Sequence, residues 1–175
     1  MSFFKAIARF FGIMFPPDKP DLKSIVPNQA KDMILSGNLP TFTTNTIMLK
    51  KNEVCHYIDK AALMLQKKEI HYERKRSGSR WRLTKSYSWD NSTIRTRPEE
   101  YKTVEYTEGV VYVTNMRFVF SAQENAFEKD VHKLTSVMPY SDAITLQFGS
   151  ETLTLITPQG PLITNVLNLV HKPTA

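Results

Sequence analysis

The chain has 175 residues, 41% hydrophobic and 23% charged, which suits one ordinary domain with a modest extension and leaves enough apolar surface for a real core. No apolar run approaches the roughly 20 residues of a membrane-spanning helix, and the single cysteine, Cys55, excludes an internal disulfide framework and a cysteine-built zinc site, so a cytoplasmic setting is the default expectation. A net charge of +6 favours an anionic partner, whether nucleic acid, phospholipid headgroups or an acidic protein surface, without choosing among them.

At the start of the chain, Phe3, Phe4, Ile7, Phe10, Phe11 and Met14 recur at helical spacings, and Lys5 and Arg9 stand four apart on another face. This predicts an amphipathic basic helix over residues 1–15, stopped by Pro16 and Pro17. Arg9 interrupts the apolar run and bulky Phe15 follows it, which argues against a cleaved secretory leader. Two settings fit the pattern. In one, the helix lies in a membrane interface, its phenylalanines in the headgroup boundary and Lys5 and Arg9 on anionic lipid. In the other, it docks on the protein's own core or on a partner subunit. Residues 16–40 read as a proline-rich linker that tethers this helix. Within it, a short helix runs from Pro27 to Ser36, with Gly37 just past its C-cap.

From residue 41 onward strand patterns dominate. Thr41–Thr44 and Ile47–Leu49 lead to a polar turn at Lys50–Glu53, and a strand from Val54 to Ile58 continues toward Ala61–Leu65. The middle of the chain is its most basic part. Between residues 67 and 97 stand Lys67, Lys68, Arg74, Lys75, Arg76, Arg80, Arg82, Lys85, Arg95 and Arg97, against only Glu69, Glu73 and Asp90. That window alone carries +7 while the whole chain carries +6. Ile70–Arg74 and Trp81–Thr84 have strand character, and Ser77-Gly78-Ser79 between them is turn-forming. This places Arg74, Lys75, Arg76, Arg80, Trp81 and Arg82 at or beside a hairpin tip, with Lys85 following. Trp81, Tyr87 and Trp89 interleave with the cations, as suits base stacking, cation–π contact or seating at a membrane interface. A plain alternative is a solvated edge hairpin whose cations discourage strand pairing.

The strongest pattern is Gly109–Phe120. Val111 and Val113 alternate with Val110, Tyr112 and Thr114, and Met116, Phe118 and Phe120 alternate with Arg117 and Val119, the period of two expected of strands. Asn115 marks the reversal, since Asn tolerates a left-handed backbone and bonds neighbouring peptides. Phe127–Leu134 reads as a short strand or connecting turn, followed by Ser136–Tyr140. Ile144, Leu146 and Phe148, then Leu153 and Leu155, form a further hairpin about Gly149-Ser150. Pro161 suits the first turn of a closing helix whose apolar stripe is Leu162, Ile163, Val166, Leu167 and Val170.

Six to seven antiparallel strands followed by one amphipathic helix resemble a pleckstrin-homology (PH)-like domain, a mainly β fold in which a bent antiparallel sheet or partly open barrel is capped by a C-terminal α-helix. The run Gly109-Val110-Val111-Tyr112-Val113-Thr114-Asn115-Met116-Arg117-Phe118-Val119-Phe120 is similar to the glycine, aromatic, threonine-asparagine, arginine and phenylalanine sequence of GRAM and bacterial PH-like domains. Leu134–Val137 through Ser141–Leu146 is similar to the strand, turn and strand that follow. The resemblance spans roughly Ile47 to Val170 and assigns residues 41–175 to the domain. It implies a module that binds membrane lipids, phosphoinositides among them, or protein segments, with Arg74–Arg82 near the phosphate-binding region.

For catalysis the sequence offers no convergent set. Cys55 and His56 are adjacent and point to opposite faces of a strand. His56, His71, His132 and His171 lack metal-ligand spacing, no phosphate-binding glycine loop or zinc-protease motif occurs, and Glu99-Glu100 has no partner acid or base. The expectation is a non-enzymatic binding module, with no metal or cofactor, on the inner face of a membrane. Its partners are anionic phospholipid or a membrane-bound protein. The alternatives are a nucleic-acid binder using the basic aromatic hairpin and an interaction or inhibitor protein for an acidic partner.

Overall fold

Runs of β-branched and aromatic residues set the architecture from Cys55 onward. The computed structural model describes the backbone of residues 19–77, 80–84, 87–90 and 93–171, and the side chains of residues 19–67 and 103–171. The elements are α1 (Asn28–Leu35), β1 (Cys55–Ser77), β2 (Arg80–Thr84), β3 (Tyr87–Asp90), β4 (Thr93–Thr114), β5 (Arg117–Ser121), β6 (Phe127–Asp130), a 3-10 turn (Val131–Lys133), β7 (Leu134–Pro139), β8 (Ala143–Phe148), β9 (Glu151–Ile156) and α2 (Gly160–His171). Seven strands form one open sheet in the order β6-β5-β4-β1-β9-β8-β7, while β2 and β3 pair apart from it. The fold is therefore mainly β with a closing helix, as expected. The helix expected over residues 1–15 lies outside the described residues.

The chain divides into two compact units. One runs to Leu65 and resumes at Val104; the other is Gln66–Thr103.

In the first unit, strand periodicity is realised directly. Tyr57, Ala61 and Leu63 on β1, Val111 and Val113 on β4, and Phe118 and Phe120 on β5 share one core with Ile144, Leu146, Phe148 and Leu155. Val111 pairs with Phe120 and Val113 with Phe118. Phe127 on β6 stacks on Phe120, with ring centroids 5.5 Å apart. The α2 stripe of Leu162, Ile163, Val166 and Leu167 closes this core, and Ala30 and Ile34 of α1 join it. Gly149, at φ +61°, opens the β8–β9 turn, where Phe148 pairs with Glu151 and a left-handed backbone favours glycine.

Several local expectations change. The expected Val54–Ile58 strand is the start of a 23-residue one. Phe127–Leu134 divides into β6 and the 3-10 turn, because Asp130 Oδ1 accepts the His132 amide at 2.9 Å and caps the turn. Asn115 does not take the left-handed conformation; among the described non-glycine residues only Asn52 and Asn125 do. Over its described part, the proline-rich segment is docked and does not act as a free tether. Lys19 Nζ pairs with Asp142 Oδ2 at 2.6 Å, Leu22 packs beside Ala62, Ala143 and Ile156, and Val26 is buried. Prolines set the backbone of such a segment, but they do not prevent it from lying on a sheet that offers it polar partners.

Candidate functional site

The residues expected to bind a ligand fall mostly in the second unit. Arg74, Lys75 and Arg76 stand near the end of β1, and Arg80, Trp81 and Arg82 open β2. Arg74, Trp81 and Arg82 lie in strands as expected, and so do Lys75, Arg76 and Arg80, which the pattern places at a turn. The two strands do not form the expected hairpin with each other, because β1 lies between β4 and β9 and β2 pairs with β3. In that ladder Arg80 is opposite Asp90, Trp81 opposite Trp89 and Arg82 opposite Ser88. The structure therefore brings the two tryptophan positions into register. Lys85 lies outside the described residues, as do Phe3, Phe4, Lys5, Ile7, Arg9, Phe10 and Phe11.

A different cluster forms a densely bonded polar centre in the first unit, built around Glu53, which the polar run from Lys50 marks only as a turn residue. Glu53 is buried. Arg117 Nε donates to its Oε1 at 2.8 Å and Nη2 to its Oε2 at 3.2 Å. The Lys50 amide reaches Oε2 at 2.7 Å, and Thr114 Oγ1 donates to Oε1 at 2.8 Å. Burial works against the Glu53 charge, but the Arg117, Lys50 and Thr114 bonds outweigh it and hold the carboxyl below its ordinary range. On Arg117, the Glu53 bond raises an already high value. The guanidinium also bonds Glu128 and the Met48 carbonyl.

The tip of the β4–β5 hairpin explains why these residue types occur there. Thr114 Oγ1 accepts the Met116 and Arg117 amides at 3.1 and 2.9 Å, which closes the reversal. Asn115 acts as an extra strand residue toward Val54. Its amide donates to Val54 O at 3.1 Å, its Oδ1 accepts the Val54 amide at 2.9 Å, and its Nδ2 donates to Asn52 O at 3.0 Å. Thr114, Asn115 and Arg117 thus fasten the loop before β1 to the hairpin. They are structural fasteners.

That loop has an unusual outer surface. Ile47 packs by Cys55, Tyr112 and Val119, yet Met48 is 93% exposed, and Leu49, Lys50 and Lys51 beside it are exposed as well. A pocket of about 360 Å³ next to it is lined by Lys50, Arg117, Glu128, Lys129, Asp130 and His132 among others. Its charges are mixed, so an anion entering it would meet carboxyl groups as well as cations.

A second buried acid was also missed. Asp59, fully buried, accepts the Ile25 amide at 2.8 Å, the Lys60 amide at 2.9 Å, Ser24 Oγ at 2.9 Å and Tyr57 Oη at 3.0 Å. Burial drives the Tyr57 phenol far up, and Asp59 beside it adds to the shift. The signal was present in the sequence, because Asp59 falls in phase with Tyr57, Ala61 and Leu63 on an apolar strand face.

Cys55 and His56 diverge as a strand requires. Cys55 is fully buried, and burial pushes its thiol up to about 11, away from the thiolate needed for nucleophilic chemistry. His56 Nδ1 donates to Pro40 O at 2.8 Å. His171 Nε2 bonds Val131 O at 2.7 Å. Among the described residues no group of three or more His, Cys, Asp or Glu is placed to hold a metal ion, and no helix is long and apolar enough to cross a membrane. No protein-family model matches the sequence, and no curated protein matches it either.

Proposed function

We propose that this chain is a non-enzymatic PH/GRAM-like binding module that attaches peripherally to anionic membrane lipid or to a membrane-bound protein partner, on the inner face of a membrane. The observation that carries this reading is the concentration of cationic charge. A window of +7, residues 67–97, falls wholly within one compact unit, Gln66–Thr103, so the cationic charge is gathered on one part of the chain. Basic segments near an anionic surface gain about 1 kcal/mol per Lys or Arg. The phenylalanine-rich N-terminus would add a second, apolar anchor, and two weak attachments cooperate through effective concentration.

The chain path supports the bent or partly open barrel of this fold class. In the first unit the two edge strands, β6 and β7, are joined by a turn of three residues, Val131–Lys133. A flat sheet of seven strands about 4.8 Å apart would hold its edges roughly 29 Å from each other. Three residues span only about 10 Å, so such a link favours a curled sheet.

Cosedimentation with phosphatidylcholine vesicles, with and without phosphatidylserine, tests the proposal. Recovery should rise with phosphatidylserine and fall at least about tenfold in apparent affinity for the R80E/R82E variant. Equal recovery on neutral and anionic vesicles, unchanged by R80E/R82E and by removal of residues 1–15, would sink it. The Trp81–Trp89 register favours a second reading, a single-stranded nucleic-acid binder that stacks bases between cations. Steeply salt-dependent retention of an oligonucleotide, lost in R80A/R82A, would select it.

A further inference from the structure

We propose that the Ile47–Lys51 loop is a preformed membrane-insertion tip, in which Met48 enters the interface of an anionic bilayer while Lys50 and Lys51 meet its headgroups. The inference rests on the membrane-attachment reading and adds to it a contact surface in the packed unit, distinct from both the basic unit and the N-terminus.

Four observations carry it. First, Met48 is 93% exposed and Leu49 37%, so two consecutive apolar residues stand out from a loop, where single exposed apolar residues would need no explanation. Second, this exposure is held in place on both sides. Ile47 is packed against the Cys55, Tyr112 and Val119 cluster, the Met48 carbonyl is bonded by the Arg117 guanidinium, and Lys50 is tied to Glu53 through both its amide, at 2.7 Å, and its carbonyl, which accepts the Glu53 amide at 3.0 Å. The loop cannot fold Met48 inward without breaking that node. Third, Lys50 and Lys51 directly follow the apolar pair and are both exposed, which matches the apolar tip with cationic shoulder that suits an anionic lipid interface. Fourth, the nearest acid in the loop, Glu53, is buried and engaged by Arg117, and Glu128, which lines the same pocket as Lys50, is paired with the same guanidinium, so neither carboxylate stands as a free charge against the lysines. Methionine suits the role, because its flexible, polarizable side chain fits an irregular acyl boundary.

The full chain carrying Met48→Cys, labelled with an environment-sensitive nitrobenzoxadiazole probe, tests this directly. The native Cys55 is fully buried, so labelling goes to the introduced thiol. Adding phosphatidylserine-containing vesicles should shift the emission to the blue, and lipid-borne quenchers should dim it. The same probe at Ser150, in the exposed β8–β9 turn, serves as the reference and should stay in water. In cosedimentation, Met48→Asp and K50E/K51E should each weaken binding about tenfold or more with an unchanged unfolding midpoint. If the chain cosediments with anionic vesicles while the probe at position 48 stays in water and Met48→Asp binds normally, the insertion tip is wrong and the membrane reading stands. If the chain ignores anionic vesicles altogether, both fall. Protection of the probe by a second copy of the chain, without lipid, would also overturn the proposal in favour of self-association.

Discussion

Glu53 and Asp59 are six residues apart, both buried, and each fastens the chain at or just before β1 to a distant segment; they do so by opposite means. Glu53 is matched by a guanidinium, which also reaches Met48 and Glu128, so one ion pair fixes a loop, a hairpin and an edge strand together. Asp59 is satisfied by two backbone amides and two hydroxyls, and what it fixes is a single strap, Ser24–Ile25. A charged partner placed in a partly buried site concentrates the energy of several contacts on one residue pair. Neutral donors spread it, so that each can be lost at modest cost.

The largest effect should come from Arg117→Ala, which leaves the Glu53 carboxylate buried without its partner. It should cost about 3–5 kcal/mol in urea unfolding, and the double variant with Glu53→Gln should recover part of that loss. A loss below 1 kcal/mol would erase the contrast between the two acids. Asp59→Ala should cost about 1–3 kcal/mol and should abolish hydrogen-exchange protection at the Ile25 amide while leaving the Asn115–Val54 pairing protected. If both segments loosen together, the two acids serve one cooperative unit and the comparison fails.

The dependence on acid should separate Glu53 further. Its folded carboxyl lies below the ordinary 4.5, so its contribution is fully present above that value and is lost as pH falls from about 4.5 through the lower folded value. Glu53→Gln should flatten the acid limb of the stability curve over that interval. Ser24→Ala, which removes one of four donors to Asp59, should cost about 0.5–1.5 kcal/mol. Met48→Ser, five residues from Glu53 in the same loop, should stay within about 0.5 kcal/mol of the parent, because its side chain makes almost no burial to lose.

The β4–β5 hairpin, the β8–β9 hairpin and α2 could be read from periodicity, and α1 from the proline that opens it and the glycine past its end. Gly109 shows how local that information was. It begins the strongest pattern, but only the packed structure gives a reason for glycine there, since a Cβ would come within 2.5 Å of Ser121 O and 2.8 Å of the Phe120 ring. Of the binding residues assigned from charge and aromatic pattern, Arg74, Trp81 and Arg82 have strand character in the sequence and lie in strands. Their partners were not legible, because antiparallel pairing depends on which strand is free at an edge, and Trp81 had no sequence mark to distinguish β1 from β3. Glu53 was assigned to a polar turn because it follows Lys50, Lys51 and Asn52; its cation lies 64 residues away, a separation at which a single sequence carries no local signal.

What the sequence determined by itself was the period of the β4–β5 and β8–β9 hairpins, the stripe of α2 and the placing of cationic charge in the middle of the chain, since these depend on neighbours two to four residues apart. Only the tertiary structure decided that Glu53 and Asp59 are buried, that the proline-rich segment lies on the sheet from Lys19 to Val26, and that Met48 points out of a loop fastened on either side of it. Each of those outcomes is set by a donor or a packing surface brought in from a distant part of the chain, and the burial of a polar group follows from whether such a partner arrives.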